Sequence, residues 1–380
     1  MPTRAENPAA TATETATLNQ VRDLLSHHLH ALWATPGQAG LIPPLMLWGP
    51  PGVGKSSVIR TLCRELGIGF IDVRLAQREP VDLRGLPVPQ GDQVRWLLSS
   101  EWPRDADSRG IILFDELTAA DRSLQVAAYE FILDRRLGDL YRVPDGWYLC
   151  GAGNRAEDGA VAVTLSSALA NRFCHVEVTP DLDTWLPWAH ARGVHPDVLG
   201  FLRFRPAAFF DMSGDLERGW PSPRSWERVG LELRLAEERG LDEAVLRLIV
   251  TGLVGVGAAT EFFAFRRWSI DLDQVNAMLR GEARVSVPRR ADQRYALCSA
   301  LVSQLWHGPD AGSPQVLDGF FRVSQELPSD FAGLAMTDAL AGETAQESEV
   351  RAELLFGHPG FADWSRRHGS AFAEHQEALV

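Results

Sequence analysis

The stretch from Leu45 to Leu62, "LMLWGPPGVGKSSVIRTL", constrains the fold more than any other part of the chain. "LMLW" is a short apolar run of the kind buried on both faces of a parallel sheet. "GPPGVGKS", Gly49 to Ser56, matches the pattern G-x-x-x-x-G-K-S/T. "SSVIRTLCREL" follows with helical spacing that sets Val58, Leu62 and Leu66 on one stripe. Strand, glycine loop and helix, in that order, are the context in which this pattern cradles phosphate. Gly52 and Gly54 let backbone N–H groups turn inward, and the helix N-terminus adds partial positive charge. Lys55 is expected to reach the β- and γ-phosphates of a nucleotide, and the Ser56 hydroxyl to bind Mg2+. The binding segment is thus read as Gly49, Pro50, Pro51, Gly52, Val53, Gly54, Lys55, Ser56 and Ser57.

Three later segments have chemistry that fits such a loop. "GIILFDEL", Gly110 to Leu117, is an apolar strand pattern ending in two acids. At the carboxyl edge of an open α/β sheet, Asp115 would hold Mg2+ through its water shell and Glu116 would polarise an attacking water. Taken alone, the pair reads equally as a helix N-cap. "WYLCGAGN" is a further strand pattern with Asn154 just past its end. Its amide could orient water or contact the γ-phosphate, or simply form a turn after Gly153. "TLSSALANRFCHVEV" places Arg172 between a short helix and a strand, where an arginine can also cap the helix C-terminus.

Length and charge narrow the class. A chain of 380 residues exceeds one small core, so two or three domains are expected. The net charge of −13 argues against free binding to nucleic acid, which needs a basic surface. The four cysteines, Cys63, Cys150, Cys174 and Cys298, form no C-x-x-C pair and read as buried thiols in a reducing compartment. No run approaches a membrane helix and no signal peptide is evident, so a cytoplasmic location is expected. His27, His28 and His30 share one amphipathic helix and read as a polar face rather than a metal site.

The order and wording of these segments resemble the AAA+ ATPases, and most closely their MoxR-like branch. That branch belongs to the helix-2-insert group, together with the magnesium-chelatase subunit and the McrB-type and dynein-type modules. "GPPGVGKSS", "ILFDEL", "GAGNR" and "SSALANRF" match its Walker A, Walker B, sensor 1 and arginine-finger segments. "PSPRSWERV" is similar to sensor 2, with Arg224 in place, while Arg203 and Arg205 of "FLRFRP" compete for that role. "LRGLPVPQGDQVRWLL" and "RLGDLYRVPDGWYL" can each form a hairpin, similar to the group's two inserts. The resemblance covers residues 18–235 and implies ATP and Mg2+ as cofactors. It also implies a homo-oligomeric, hexameric ring in which Arg172 reaches the neighbouring subunit's ATP.

The resulting expectation is an α/β fold. A P-loop AAA+ core with a central parallel sheet flanked by helices would span residues 18–180, after a disordered tail at 1–17. An α-helical lid would follow at 181–240 and a helical C-terminal extension at 241–380, with "DAGSP" and "LAGETAQESEV" as solvated loops. The aromatics after Pro180 read as core. By resemblance the chain would remodel or mature a protein client, often one with a von Willebrand factor A domain, with no membrane role. Alternatives are a nucleic-acid motor or restriction-type NTPase, a nucleotide-gated adaptor with little turnover and, more distantly, a small-molecule kinase. Few basic side chains on the hairpins and an intact Glu116 weigh against the first two. Base preference stays open.

Overall fold

The computed structural model describes residues 14–155, 158, 165, 167–267 and 271–377. The chain divides into two compact units, one ending at Thr179 and one beginning at Pro180.

In the first unit the order is β1 Thr15–Ala16, α1 Leu18–Ala34, β2 Leu45–Trp48, α2 Lys55–Leu66, β3 Gly69–Arg74 and α3 Pro80–Arg84. Then come β4 Leu86–Gln90, β5 Gln93–Leu97, β6 Gly110–Asp115, α4 Arg122–Asp134, β7 Arg136–Leu137 and β8 Tyr141–Arg142. β9 Trp147–Gly153, α5 Ser167–Ala170 and β10 Cys174–Val178 complete the unit. Among the described residues six strands form one sheet in the order β1-β10-β2-β9-β6-β3, with every neighbouring pair parallel. The apolar runs sit here because parallel strands joined by helical crossovers are covered on both faces. Ile112 and Phe114 of β6 and Leu149 of β9 share a core with α4, where Phe114 meets the Phe131 ring edge-on at 5.4 Å. The opposite face takes α1, whose His28 Nδ1 lies 2.7 Å from the Tyr148 hydroxyl. Trp48 pairs with Gly153 and with Glu177, while Phe114 pairs with Gly151. The carboxyl ends of β2, β6, β9 and β10 therefore lie along one edge.

Two expectations change in this unit. Residues 1–13 of the expected tail lie outside the described residues. Beyond them Thr15–Ala16 pairs with Glu177–Val178, and Thr17 caps α1 in a capping box with Gln20. Backbone pairing with a sheet edge leaves little mark on composition, so an Ala/Thr-rich segment reads as tail. In α2 the buried apolar residues are Ile59, Leu62 and Cys63, while Leu66 is 40% exposed, so the core-facing stripe is turned from the expected one. Both hairpins form: β4 with β5 across Gly91–Asp92, and β7 with β8 across Gly138–Leu140. The first exposes Leu86, Val94, Trp96 and Leu97.

The second unit is helical: α6 Leu182–Ala191, α7 Pro196–Phe204, α8 Pro223–Arg239, α9 Glu243–Arg266 and α10 Leu272–Arg280. α11 Ala291–His307, α12 Pro314–Ser324, α13 Ser329–Leu340, α14 Ala345–Phe356 and α15 Pro359–Glu377 follow. Aromatics build its core, where Trp185, Phe201, Phe209 and Trp226 pack with Val250, Phe262 and Phe265 of α9, while Phe204 is exposed. Residues before and after 240 thus share one core. A second core joins α10 to α15 around Phe320, Met336 and Trp364. Part of "LAGETAQESEV" is helix rather than loop. Thr344 Oγ1 caps α14 by accepting from Glu347 N at 3.1 Å, and the Arg351 guanidinium sits 4.9 Å over the Trp306 ring.

The expectation that no run could cross a membrane is also corrected. α9 is long and apolar enough by length and composition alone. It breaks at Gly255 (φ 78°, ψ 165°), and Leu246, Val250, Val254, Phe262 and Phe263 bury its inner side. Such a break leaves backbone groups that hydrocarbon could not satisfy.

Candidate nucleotide site

β2 delivers the chain to Gly49 at the sheet's carboxyl edge. Gly49 has φ 143°, and a Cβ there would stand 2.5 Å from the Val178 carbonyl oxygen, so only glycine lets the loop pass under β10. Gly54, with φ 105°, is the left-handed N-cap from which α2 starts. Lys55 is the first residue of that helix and is buried. Its Nζ donates to Gly49 O at 2.6 Å, Pro50 O at 3.0 Å and Asn154 Oδ1 at 3.0 Å. These contacts keep an ammonium inside the loop, where a charge without partners would be costly. Val53 is buried and Ser57 is exposed.

Ser56 Oγ donates to Asp115 Oδ2 at 2.5 Å, which joins the loop to the end of β6. A hydroxyl and a carboxylate side by side are hard oxygen donors of the type Mg2+ takes, with phosphate and water completing its shell. Among the described residues no group of three or more His, Cys, Asp or Glu could hold a metal, which includes His27, His28 and His30. Asp115 Oδ1 accepts the Glu116 N–H at 2.9 Å. Glu116 adopts φ 57°, a left-handed conformation rare for a side-chain-bearing residue. Asp72 on the neighbouring β3 adds a carboxylate near Asp115. Burial, then the Asp115 charge, pushes its carboxyl above the ordinary value, while Arg74 and Arg60 pull it back.

Asn154 follows β9. Thr118, which was not singled out in the sequence, is buried beside it. Its Oγ1 donates to Asn154 O at 3.1 Å and accepts from Asn154 N at 3.2 Å. Its only sequence signal is a hydroxyl residue two positions after Glu116, which is too common to stand out.

Lys55, Ser56, Asp115, Glu116 and Asn154 are thus brought to one edge. Arg172 follows α5 in the same unit, is exposed, and makes no hydrogen bond or ion pair with the described residues. Arg224, near the start of α8, belongs to the second unit and is likewise exposed without such a partner. Its two competitors are engaged: Arg203 bonds buried Asp338, and Arg205 meets Glu261 at 2.8 Å.

An all-parallel sheet with a glycine loop, a buried lysine and a serine–aspartate pair at its carboxyl edge defines a P-loop nucleotide-binding α/β domain. Residues 45–130 match the family described as ATPase family associated with various cellular activities (AAA). The matched span runs from β2 into α4, and the sheet that holds it has the AAA+ P-loop α/β fold. Midasin of Giardia intestinalis is 27% identical over 143 residues, which are 36% of this chain and 3% of that protein. The chain thus spans a small fraction of that relative's length. Among solved structures, a Thermotoga maritima RuvB variant is 15% identical with a TM-score of 0.36, over 79% of this chain and 87% of that one. NtrX from Brucella abortus in complex with ADP is 17% identical with a TM-score of 0.29, over 92% of this chain and 67% of that one.

Proposed function

We propose that the chain hydrolyses ATP as a MoxR-type AAA+ ATPase, working in a ring of its own copies, hexameric as in such relatives. On this reading it uses the cycle to remodel or mature a partner protein, one carrying a von Willebrand factor A domain. The observation that carries hydrolysis is Glu116 beside Asp115, on the same sheet edge as Lys55 and Asn154. Ser56 and Asp115 would hold Mg2+, which when bound supplies positive charge to the phosphates. Lys55 exchanges its loop carbonyls for the β- and γ-phosphates. Asn154, released by Lys55, orients the attacking water, and Glu116 takes its proton.

Arg172 supports the ring. An exposed guanidinium with no partner among the described residues is free to meet the nucleotide of a neighbouring copy and stabilise charge on its γ-phosphate. Arg224 has the sensor 2 role by resemblance alone. The first hairpin supports a protein partner over a nucleic acid, since Leu86, Val94, Trp96 and Leu97 are exposed on it and Arg95 is its single cation. A reducing compartment such as the cytoplasm suits four unbridged cysteines, with burial pushing the Cys63 thiol up to about 12.

The test is ATP turnover per subunit against protein concentration, for wild type, Glu116→Gln, Arg172→Ala and an equal mixture of the two variants. Each variant alone should lose about 10²-fold or more. The mixture should recover activity, because junctions with an intact Glu116 and a neighbouring Arg172 reappear. A mixture as inactive as its parts, with turnover independent of concentration, would rule out the ring reading.

A further inference from the structure

We propose that Thr118 is a positioning residue that ties Asn154 to the Asp115–Glu116 turn, so that the polar amide and the general base move as one unit. The inference rests on the hydrolysis reading and deepens it. Thr118 is 2% exposed and spends both capacities of its hydroxyl on one residue, donating to Asn154 O and accepting from Asn154 N. These bonds continue the β6–β9 pairing beyond the strand ends, after Leu117 N donates to Ala152 O at 2.9 Å. The two segments touch closely: a Cβ on Gly153 would stand 2.8 Å from both Oγ1 and Cγ2 of Thr118.

The other side of the turn is braced as well. The buried Gln125 amide donates to Leu117 O at 3.1 Å, and Ala119 N donates to Glu116 O at 2.9 Å. Glu116 holds a left-handed backbone, and such a conformation persists only when its surroundings over-determine it. The residues directly after it are those tied to Ala152, Asn154 and Gln125. One continuous path therefore runs from Glu116 through Thr118 to Asn154, and from the Asn154 amide to Lys55. Thr118 touches no phosphate or water in this scheme. It acts through the placement of Asn154 and Glu116.

The test compares Thr118→Ser, Thr118→Ala and Thr118→Val in steady-state ATP turnover, with Asn154→Ala and the double variant Thr118→Ala/Asn154→Ala. Serine keeps the hydroxyl and should stay within a few-fold of wild type. Alanine and valine lose it and should lower kcat by about 10²-fold, the scale of an ångström-sized misplacement, while KM for ATP changes little. The double variant should lose less than the product of the two single losses, because Thr118 acts in part through the Asn154 amide. Serine and alanine variants equally impaired, all three at wild-type kcat, or additive losses in the double variant would each overturn the inference. The comparison with Glu116→Gln separates the two levels. If Glu116→Gln is inactive and Thr118→Ala is not, hydrolysis stands and only the role of Thr118 falls. If wild type and Glu116→Gln turn over alike, the hydrolysis reading falls and takes this inference with it.

Discussion

In the first unit Lys55, Ser56, Asp115 and Asn154 meet at a sheet edge and bond one another. In the second, Arg203, His190 and Asp338 meet inside a helical core, with His190 Nε2 3.1 Å from Asp338 Oδ2 and the aspartate side chain 2% exposed. Both are small networks of charge and hydrogen bonds. On the proposed reading, phosphate would take over the Lys55 bonds of the first and Mg2+ the Ser56–Asp115 pair. The second is sealed, and no ligand can replace what it loses. On the reading proposed above, similar residue types serve nucleotide chemistry in one unit and architecture in the other.

The sharpest break of this contrast is Asp338→Ala. It leaves Arg203 and His190 without their anion, and should cost the second unit about 3–5 kcal/mol, read in denaturant unfolding followed by tryptophan fluorescence. Nucleotide affinity should stay unchanged. The contrast also has a pH signature. Burial alone would raise the Asp338 carboxyl, but Arg203 and His190 outweigh it and hold it below its ordinary 3.8. Its contribution to stability is then fully present above pH about 4 and lost as pH falls below that. Asp338→Asn should flatten the acid limb of the stability curve in that window.

Next in size is Lys55→Ala, which should weaken ATP binding by the loss of a charged hydrogen bond, about 1.5–3 kcal/mol. Wild type at a hundredfold excess over Kd should gain about 2.7 kcal/mol of stability from ATP with Mg2+. The variant should lose most of that shift, and a retained shift would show that the loop does not hold phosphate through Lys55. The smallest effect is Arg224→Ala. This arginine shares its unit with Arg203 but is exposed without a partner among the described residues, so unfolding should move by no more than about 0.5 kcal/mol. A larger loss would mean that the second unit uses this arginine as it uses Arg203.

Much of the first unit was legible because its strands are covered on both faces. "LMLW", "GIILFD" and "WYLC" read as strands from apolar runs bounded by Gly, Pro or Asp, and the structure keeps them. The positions of Lys55, Ser56, Asp115, Glu116 and Asn154 followed from where those strands end. What escaped depends on contacts that local pattern does not encode. Thr15–Ala16 is a strand only because β10 lies beside it. Glu116 carries no mark of its left-handed backbone, and the hydroxyl of Thr118 matters only because Asn154 is folded against it. In the second unit the periodicity gave the helices but not their partners. Arg203 became legible as a structural residue only once Asp338, far along the chain, was seen against it. The break in α9 had a visible signal in Gly252, Gly255 and Gly257, but glycine alone does not say which position bends.

The strand order also dictates when the molecule can come together. β2 leads into the phosphate loop, yet Leu45 takes Cys150 as its neighbour on one side and Cys174 on the other. Neither neighbour has left the ribosome when β2 emerges. An apolar strand must therefore wait, with its edges open, until nearly the whole first unit has been translated. Such long-range closure is slow and leaves sticky backbone exposed meanwhile. During synthesis the glycine loop that follows β2 therefore emerges well before the strands that enclose it.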